Sequence, residues 1–304
     1  MRISLETLFR SRTGLSLGLA LCSLPPAIGY PAARWIGRRL SARKHDPSVC
    51  AVRSNQWVVH SGNISAAELD KLVADTFQST AISLYEFWHY LRDPQALINM
   101  VDFDPGFIAC FERARQDKTG LLLVVPHISN FDLIGRTTVL IGYPLHVLSY
   151  PNPSGMYQGQ NQLRELPGLT VTPMSIEALR LASDTLRSGG TVLTGIDRPL
   201  PNPDGKYMPR FFGKPASMPV FHVRLALKHK LPLYMVGGVR KPDGRYFVWA
   251  SEPVEMIPHP DLVQETVQNA EAALEVAEDF IRKAKEQWAM FYPVWPEAMD
   301  KMPS

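Results

Sequence analysis

Cysteine is scarce in this 304-residue chain, where Cys22, Cys50 and Cys110 are odd in number and far apart. That excludes the even count of a disulfide framework and the close spacing of a zinc site, leaving reduced thiols in a cytosolic environment as the default. A charge excess is missing too, since 32 basic residues face 29 acidic ones for a net charge of +3. Charge alone gives no reason to expect a nucleic-acid partner. The cleanest apolar stretch, residues 14–24, falls short of the roughly 20 residues that a spanning helix needs. His-Glu-x-x-His, Gly-x-Ser-x-Gly and glycine-rich phosphate-loop patterns are all absent, and no nucleophile pattern around a Ser or Cys is recognisable. No repeat or low-complexity linker marks a domain boundary after about residue 50.

What the chain does have is residues 120–136, GLLLVVPHISNFDLIGR. The apolar run at 121–125 does not alternate, as expected of a strand covered on both faces in an α/β sheet. Pro126 ends it, Ser129 or Asn130 can cap a following helix, and Asp132 falls in that helix's first turn, where the dipole favours a carboxylate. His127 then lies at the carboxyl end of the strand, where open α/β sheets bind ligands. An imidazole that removes a proton from an alcohol needs a partner that fixes its tautomer, and a carboxylate on one ring nitrogen leaves the other as base. The step from His127 to Asp132 allows this if His127 is non-helical and Asp132 faces back from the first turn. The plainer reading is a capping segment with an incidental His and a dipole-stabilising Asp.

PHISNFD resembles the His-x-Gly-Asn-x-Glu/Asp signature of the lysophospholipid acyltransferase superfamily, in the branch of the bacterial lipid A late acyltransferases and the phosphatidylinositol mannoside acyltransferases. His127, Asn130 and Asp132 match, while Ser129 stands where Gly is usual. The similarity runs from about residue 53 to 295 and includes YMPRFFG at 207–213 and RKPDGRY at 240–246. It implies that His127 is the general base and Asp132 its orienting acid, with the developing oxyanion of the substrate met by backbone amides near the start of the motif helix or by the side chain of Asn130. By the same resemblance Arg164, shortly before Gly168, would hold a phosphate, and Asp197 would bind the acceptor or support the site beside Arg198. Arg210 and Lys214 bracket Phe211 and Phe212, an aromatic pair that would line an acyl channel. A solvated Arg, a turn-forming Asp and core aromatics are the ordinary alternatives for these positions.

Around this centre the sequence reads as an α/β fold with a mixed central sheet flanked by helices and an N-terminal helical membrane-anchoring segment. Residues 1–50 form the membrane-associating segment and 51–304 a single α/β acyltransferase domain. The segment is apolar, broken by Pro25, Pro26 and Pro31, and followed by Arg34, Arg38, Arg39, Arg43 and Lys44, a cluster suited to anionic headgroups of the cytoplasmic leaflet. A buried core hairpin and a cleaved signal peptide are its rivals. Residues 51–59 read as a connector and 66–91, 105–118, 176–187 and 218–230 as helices. Strands fall at 145–148, 191–196 and 231–239, and a hairpin turn at 241–244 leads into 246–250. A last helix, 261–288, closes on Trp288, Phe291, Tyr292 and Trp295, which anchor at a membrane interface or cap the core.

The resemblance implies an O-acyltransferase that moves a fatty acyl chain from acyl-CoA or acyl-carrier protein to a hydroxyl of a glycolipid or lysolipid. Its partners would be the donor, a membrane lipid acceptor and the membrane surface, at the cytoplasmic face of the inner membrane, with no cofactor, metal or nucleic acid. Two other functions fit the same residues. Water could replace the alcohol in an acyl-thioester hydrolase, or the protein could hold a glycolipid without turnover.

Overall fold

Leu121–Val125 (β2) is almost wholly buried, as its unbroken apolar run requires, and the computed structural model places it fourth in a seven-stranded sheet. The structure describes residues 22–151, 166–202 and 204–303. Before β2 come helices Pro26–Ser41 (α1), Pro47–Val59 (α2), Ala66–His89 (α3) and Pro94–Met100 (α4), strand Val101–Phe103 (β1) and helix Pro105–Asp117 (α5). After it come Phe131–Leu140 (α6), Leu145–Ser149 (β3), Leu169–Pro173 (β4), Ile176–Arg187 (α7) and Thr191–Gly195 (β5). A small hairpin of Arg210–Phe211 (β6) and Lys214–Pro215 (β7) precedes Phe221–His229 (α8), Leu233–Arg240 (β8), Tyr246–Ala250 (β9) and Leu262–Lys283 (α9).

The sheet order is β1-β9-β8-β2-β5-β3-β4. Five strands, β8 to β4 in that order, run parallel, and β9 joins antiparallel to β8 with β1 parallel to β9. This is the expected mixed sheet flanked by helices. Alternate residues sort to opposite faces, so Leu122 and Val124 join the core under α7, α8 and α9 while Leu121 and Leu123 join the core under α5 and α6. From β2 the chain passes through α6 to β3 and leaves a gap, which β5 fills on its return. The carboxyl ends of β2 and β5 are therefore neighbours although some 70 residues separate them in the chain.

Two expectations change. Residues 51–59 are not a connector but the body of α2, which begins where Asp46 accepts from the Ser48 amide at 3.0 Å and Pro47 supplies a preset first turn. The last helix stops at Lys283 rather than at Trp288, and a 3-10 turn, Lys285–Gln287, follows. Tertiary bonds overrule helical periodicity there: the Ser129 amide donates to the Gln287 carbonyl at 2.8 Å and the Ala289 amide to the His127 carbonyl at 2.7 Å.

The helix α1 lies close on α3 through Gly29, Ala33 and Gly37, and a Cβ at Gly37 would come within 2.6 Å of the α3 backbone. Its outer face exposes Ile28 and Trp35, with the Arg39 guanidinium 5.3 Å from the Trp35 ring. No helix among the described residues is long and apolar enough to cross a membrane. Most of the apolar stretch at 14–24 lies outside the described residues.

On the opposite side of the sheet α8 buries His222 completely, and neither ring nitrogen has a hydrogen-bond partner among the described residues. Desolvation pushes its pKa from 6.5 down to about 4. Because the folded value is depressed, unfolding takes up a proton anywhere between those two pH values. Stability from this group is complete above pH 6.5 and is lost as the pH falls towards 4, at up to ~1.4 kcal/mol per pH unit. Denaturant titrations at pH 7 and pH 5 check this, with His222→Leu expected to lose less stability than wild type between them. Equal losses in the two proteins would contradict it.

Candidate active site

Register builds the site. In the parallel pair β2 and β5, Val125 stands opposite Gly195, so His127 and Asp197, each two positions beyond, meet at the carboxyl edge of the sheet. The Asp197 carboxylate has no solvent exposure and accepts three bonds, from His127 Nδ1 at 2.5 Å, the His127 backbone N–H at 2.8 Å and the Trp288 indole N–H at 2.7 Å. An ionised carboxylate only accepts, so Nδ1 carries the proton and Nε2 keeps its lone pair. The His127 side chain is 21% exposed, which leaves the ring open to the cleft described below.

The acid on the imidazole is thus Asp197 and not the expected Asp132. Asp197 fixes the ring from the sheet side while also holding the residue's own backbone amide, a pairing that a residue on the next helix turn does not make here. Asp132 sits in the first turn of α6 and lines the same cleft. Ser129 takes a left-handed backbone with φ of 57°, which accounts for glycine being usual at that place, and its hydroxyl is buried without a partner among the described residues.

The Asn130 side chain is engaged by the fold. Its amide donates to the Ser83 carbonyl at 2.9 Å and the Tyr246 hydroxyl at 3.2 Å, and its carbonyl accepts from the Leu133 amide at 3.3 Å to cap α6. Tyr246 in turn donates to Glu86, a fully buried α3 carboxylate that also accepts from Tyr30 at 2.9 Å and pairs with Arg240 at 2.8 Å. Burial beside that carboxylate pushes the Tyr246 phenol well above its ordinary range. The network locks the start of α6 to α3 and to β9.

The remaining candidates divide. Arg198 lines the cleft, its guanidinium 3.6 Å from the Tyr150 ring and 4.0 Å from that of Tyr292. Phe211 and Phe212 do not line it. Phe211 is fully buried and stacks on Trp295 with ring centres 5.4 Å apart, while Phe212 lies against the same aromatics. Arg210 and Lys214 follow them into the β6–β7 hairpin, where the Arg210 backbone amide donates to Glu271 on α9 at 2.8 Å. Arg164 lies outside the described residues. Arg136 was not anticipated, yet it lines the cleft with a buried Nε that has no partner among the described residues. Its signal was available, since it stands one helical turn after Asp132 on the same face.

The cleft runs from His127 over one face of the sheet. Its depth is apolar, with Leu123, Leu145, Val171 and Val236 as floor and Phe107, Phe111 and Ile134 of α5 and α6 as roof. Its polar groups include His127, Asp132, Arg136, Ser149 and Arg198. A long apolar tail can enter while a polar group stays beside the imidazole.

Two substitutions probe this geometry. A Cβ on Gly195 would lie 2.8 Å from His127 Cε1, so the ring must turn to admit it. Gly195→Ala is expected to cut turnover about 100-fold while the protein melts normally, because a misplaced base loses that much; unchanged steady-state turnover would contradict the geometry. Ser129→Gly relieves a left-handed residue and removes an orphaned hydroxyl, and is expected to raise stability by about 1 kcal/mol in denaturant titration. A loss of stability would show that the serine is favoured where it stands.

Comparison with curated proteins finds no match to the chain. The profile of the family described as bacterial lipid A biosynthesis acyltransferase matches residues 5–297. That span contains every residue of the site built above, and the chain therefore belongs to the bacterial lipid A biosynthesis acyltransferase family, whose members transfer acyl groups in lipid synthesis.

Proposed function

We propose that the protein transfers a fatty acyl chain from an acyl thioester, carried by CoA or by acyl-carrier protein, to a hydroxyl of a glycolipid or lysolipid. The observation that carries this reading is the His127–Asp197 pair at the polar end of an apolar cleft. Nε2 of His127 takes the proton from the acceptor hydroxyl as its oxygen attacks the thioester carbonyl, and Asp197 holds the imidazolium that forms. Collapse of the tetrahedral intermediate breaks the carbon–sulfur bond, and the imidazolium returns the proton to the departing thiolate. The products are an ester and a free thiol, with no acyl-enzyme needed.

Shape and charge support the substrate class. The apolar depth suits the acyl chain, and the guanidinium groups of Arg136 and Arg198 suit a phosphate on donor or acceptor, with Asp132 placed to accept from acceptor hydroxyls. The outer face of α1, with Ile28, Trp35, Arg38 and Arg39, suits a peripheral seat on an anionic leaflet, so that residues 1–50 would hold the acyltransferase domain at the cytoplasmic side of the inner membrane.

Incubation of purified protein with labelled acyl-CoA or acyl-carrier protein and a total lipid extract tests the reading. A labelled acyl-lipid is expected from wild type, with losses of about 10²–10⁴-fold for His127→Ala and Asp197→Asn. Labelled free acid alone would indicate a hydrolase, and lipid retention without reaction a binding protein. Wild-type turnover by His127→Ala would remove the mechanism.

A further inference from the structure

Behind the site, the segment that follows α9 acts as a strap. Its ends are held by α2: the Gln56 amide donates to the Lys285 carbonyl at 2.6 Å, and the Asn55 amide donates to the carbonyls of Met290 at 3.1 Å and Tyr292 at 2.8 Å. The Val294 amide returns a bond to the Asn55 carbonyl oxygen at 3.0 Å. Midway, Gln287 pairs its side chain with both backbone groups of Arg240, at 2.8 and 3.0 Å. From this fixed base the strap grips the catalytic turn through an antiparallel bridge, Ile128 opposite Trp288, closed by the Ser129-to-Gln287 and Ala289-to-His127 backbone bonds.

We infer that Trp288 is a positioning residue for acyl transfer, its indole N–H holding the second oxygen of Asp197 so that the first oxygen stays on His127 Nδ1. The inference rests on the His127–Asp197 base proposed above. The indole has little freedom, being 1% exposed and set edge-on to Phe211 with ring centres 6.3 Å apart. The aromatic pair that the family resemblance would place along an acyl channel thus backs the indole that orients the acid. Two of the three donors on Asp197 come from His127 itself and follow that residue if it moves. Trp288 supplies the remaining one, from a separate and anchored segment.

Losing one hydrogen bond to a charged group removes a directional tether from Asp197. For Trp288→Phe the expected result is a kcat lower by roughly 10- to 100-fold with KM within about twofold. The other charged groups around the cleft, Asp132, Arg136 and Arg198, are the same in both proteins, so the difference isolates the indole.

The decisive experiment is a double-mutant cycle on the full chain, combining Trp288→Phe with Asp197→Ala in the acyl-lipid assay. If Trp288 acts through Asp197, it costs less than twofold once Asp197 is gone; independent losses that multiply would overturn the inference. Should Trp288→Phe fail to fold, β-(3-benzothienyl)alanine at 288 keeps the bicyclic shape with sulfur in place of N–H and gives the same readout. A variant that matches wild type in kcat also overturns it. No acyl transfer by wild type would instead sink the functional reading beneath it.

Discussion

A carboxylate with no access to water must find its donors within the protein, and Asp197 finds them in three N–H groups from two distant parts of the chain. That demand fixes much else. The β2 and β5 strands must be neighbours in register for His127 to reach it, and the backbone after α9 must leave helical geometry for Trp288 to do so. Gly195 must lack a side chain because the imidazole occupies the place where a Cβ would project. Removing the charge at position 197 would leave these arrangements without a common purpose.

The two faces of the sheet share the labour. One carries the cleft, apolar in depth and polar at the imidazole, roofed by α5 and α6. The other, under α7, α8 and α9, carries the aromatic packing that steadies Trp288. Glu86 adds a lateral lock, because its bonds to Tyr246, Tyr30 and Arg240 tie α3 to β8, β9 and α1 beside the capped start of α6. Breaking a buried network of this kind costs about 3–5 kcal/mol, enough to hold the motif turn rigid in a protein of ordinary stability. The orientation of the His127 imidazole is thereby set within the fold itself.

Local chemistry was legible in the sequence and global adjacency was not. The strand, the proline stop, the cap and the helix around PHISNFD follow from residue types within a dozen positions, and they identify His127 and the family alike. The partner acid does not follow, since Asp132 is near in the chain whereas Asp197 is near only because β5 slots between β2 and β3. Nor could periodicity show that residues 284–288 give up a helix for bonds to the motif turn. The α2 helix is a different case, because its start is marked locally by Asp46 and Pro47. For Phe211 and Phe212 residue type favours the core while the family resemblance points to an acyl channel, and the packing against Trp295 and Trp288 places them in the core.

The central claim is that Asp197 holds the proton-bearing Nδ1 of His127. Proton NMR of the low-field imidazole N–H region, comparing wild type with Asp197→Asn and Asp132→Asn, tests it directly. The account predicts a strongly hydrogen-bonded Nδ1–H resonance in wild type that persists in Asp132→Asn and disappears or moves far upfield in Asp197→Asn. Loss in Asp132→Asn with retention in Asp197→Asn would contradict it.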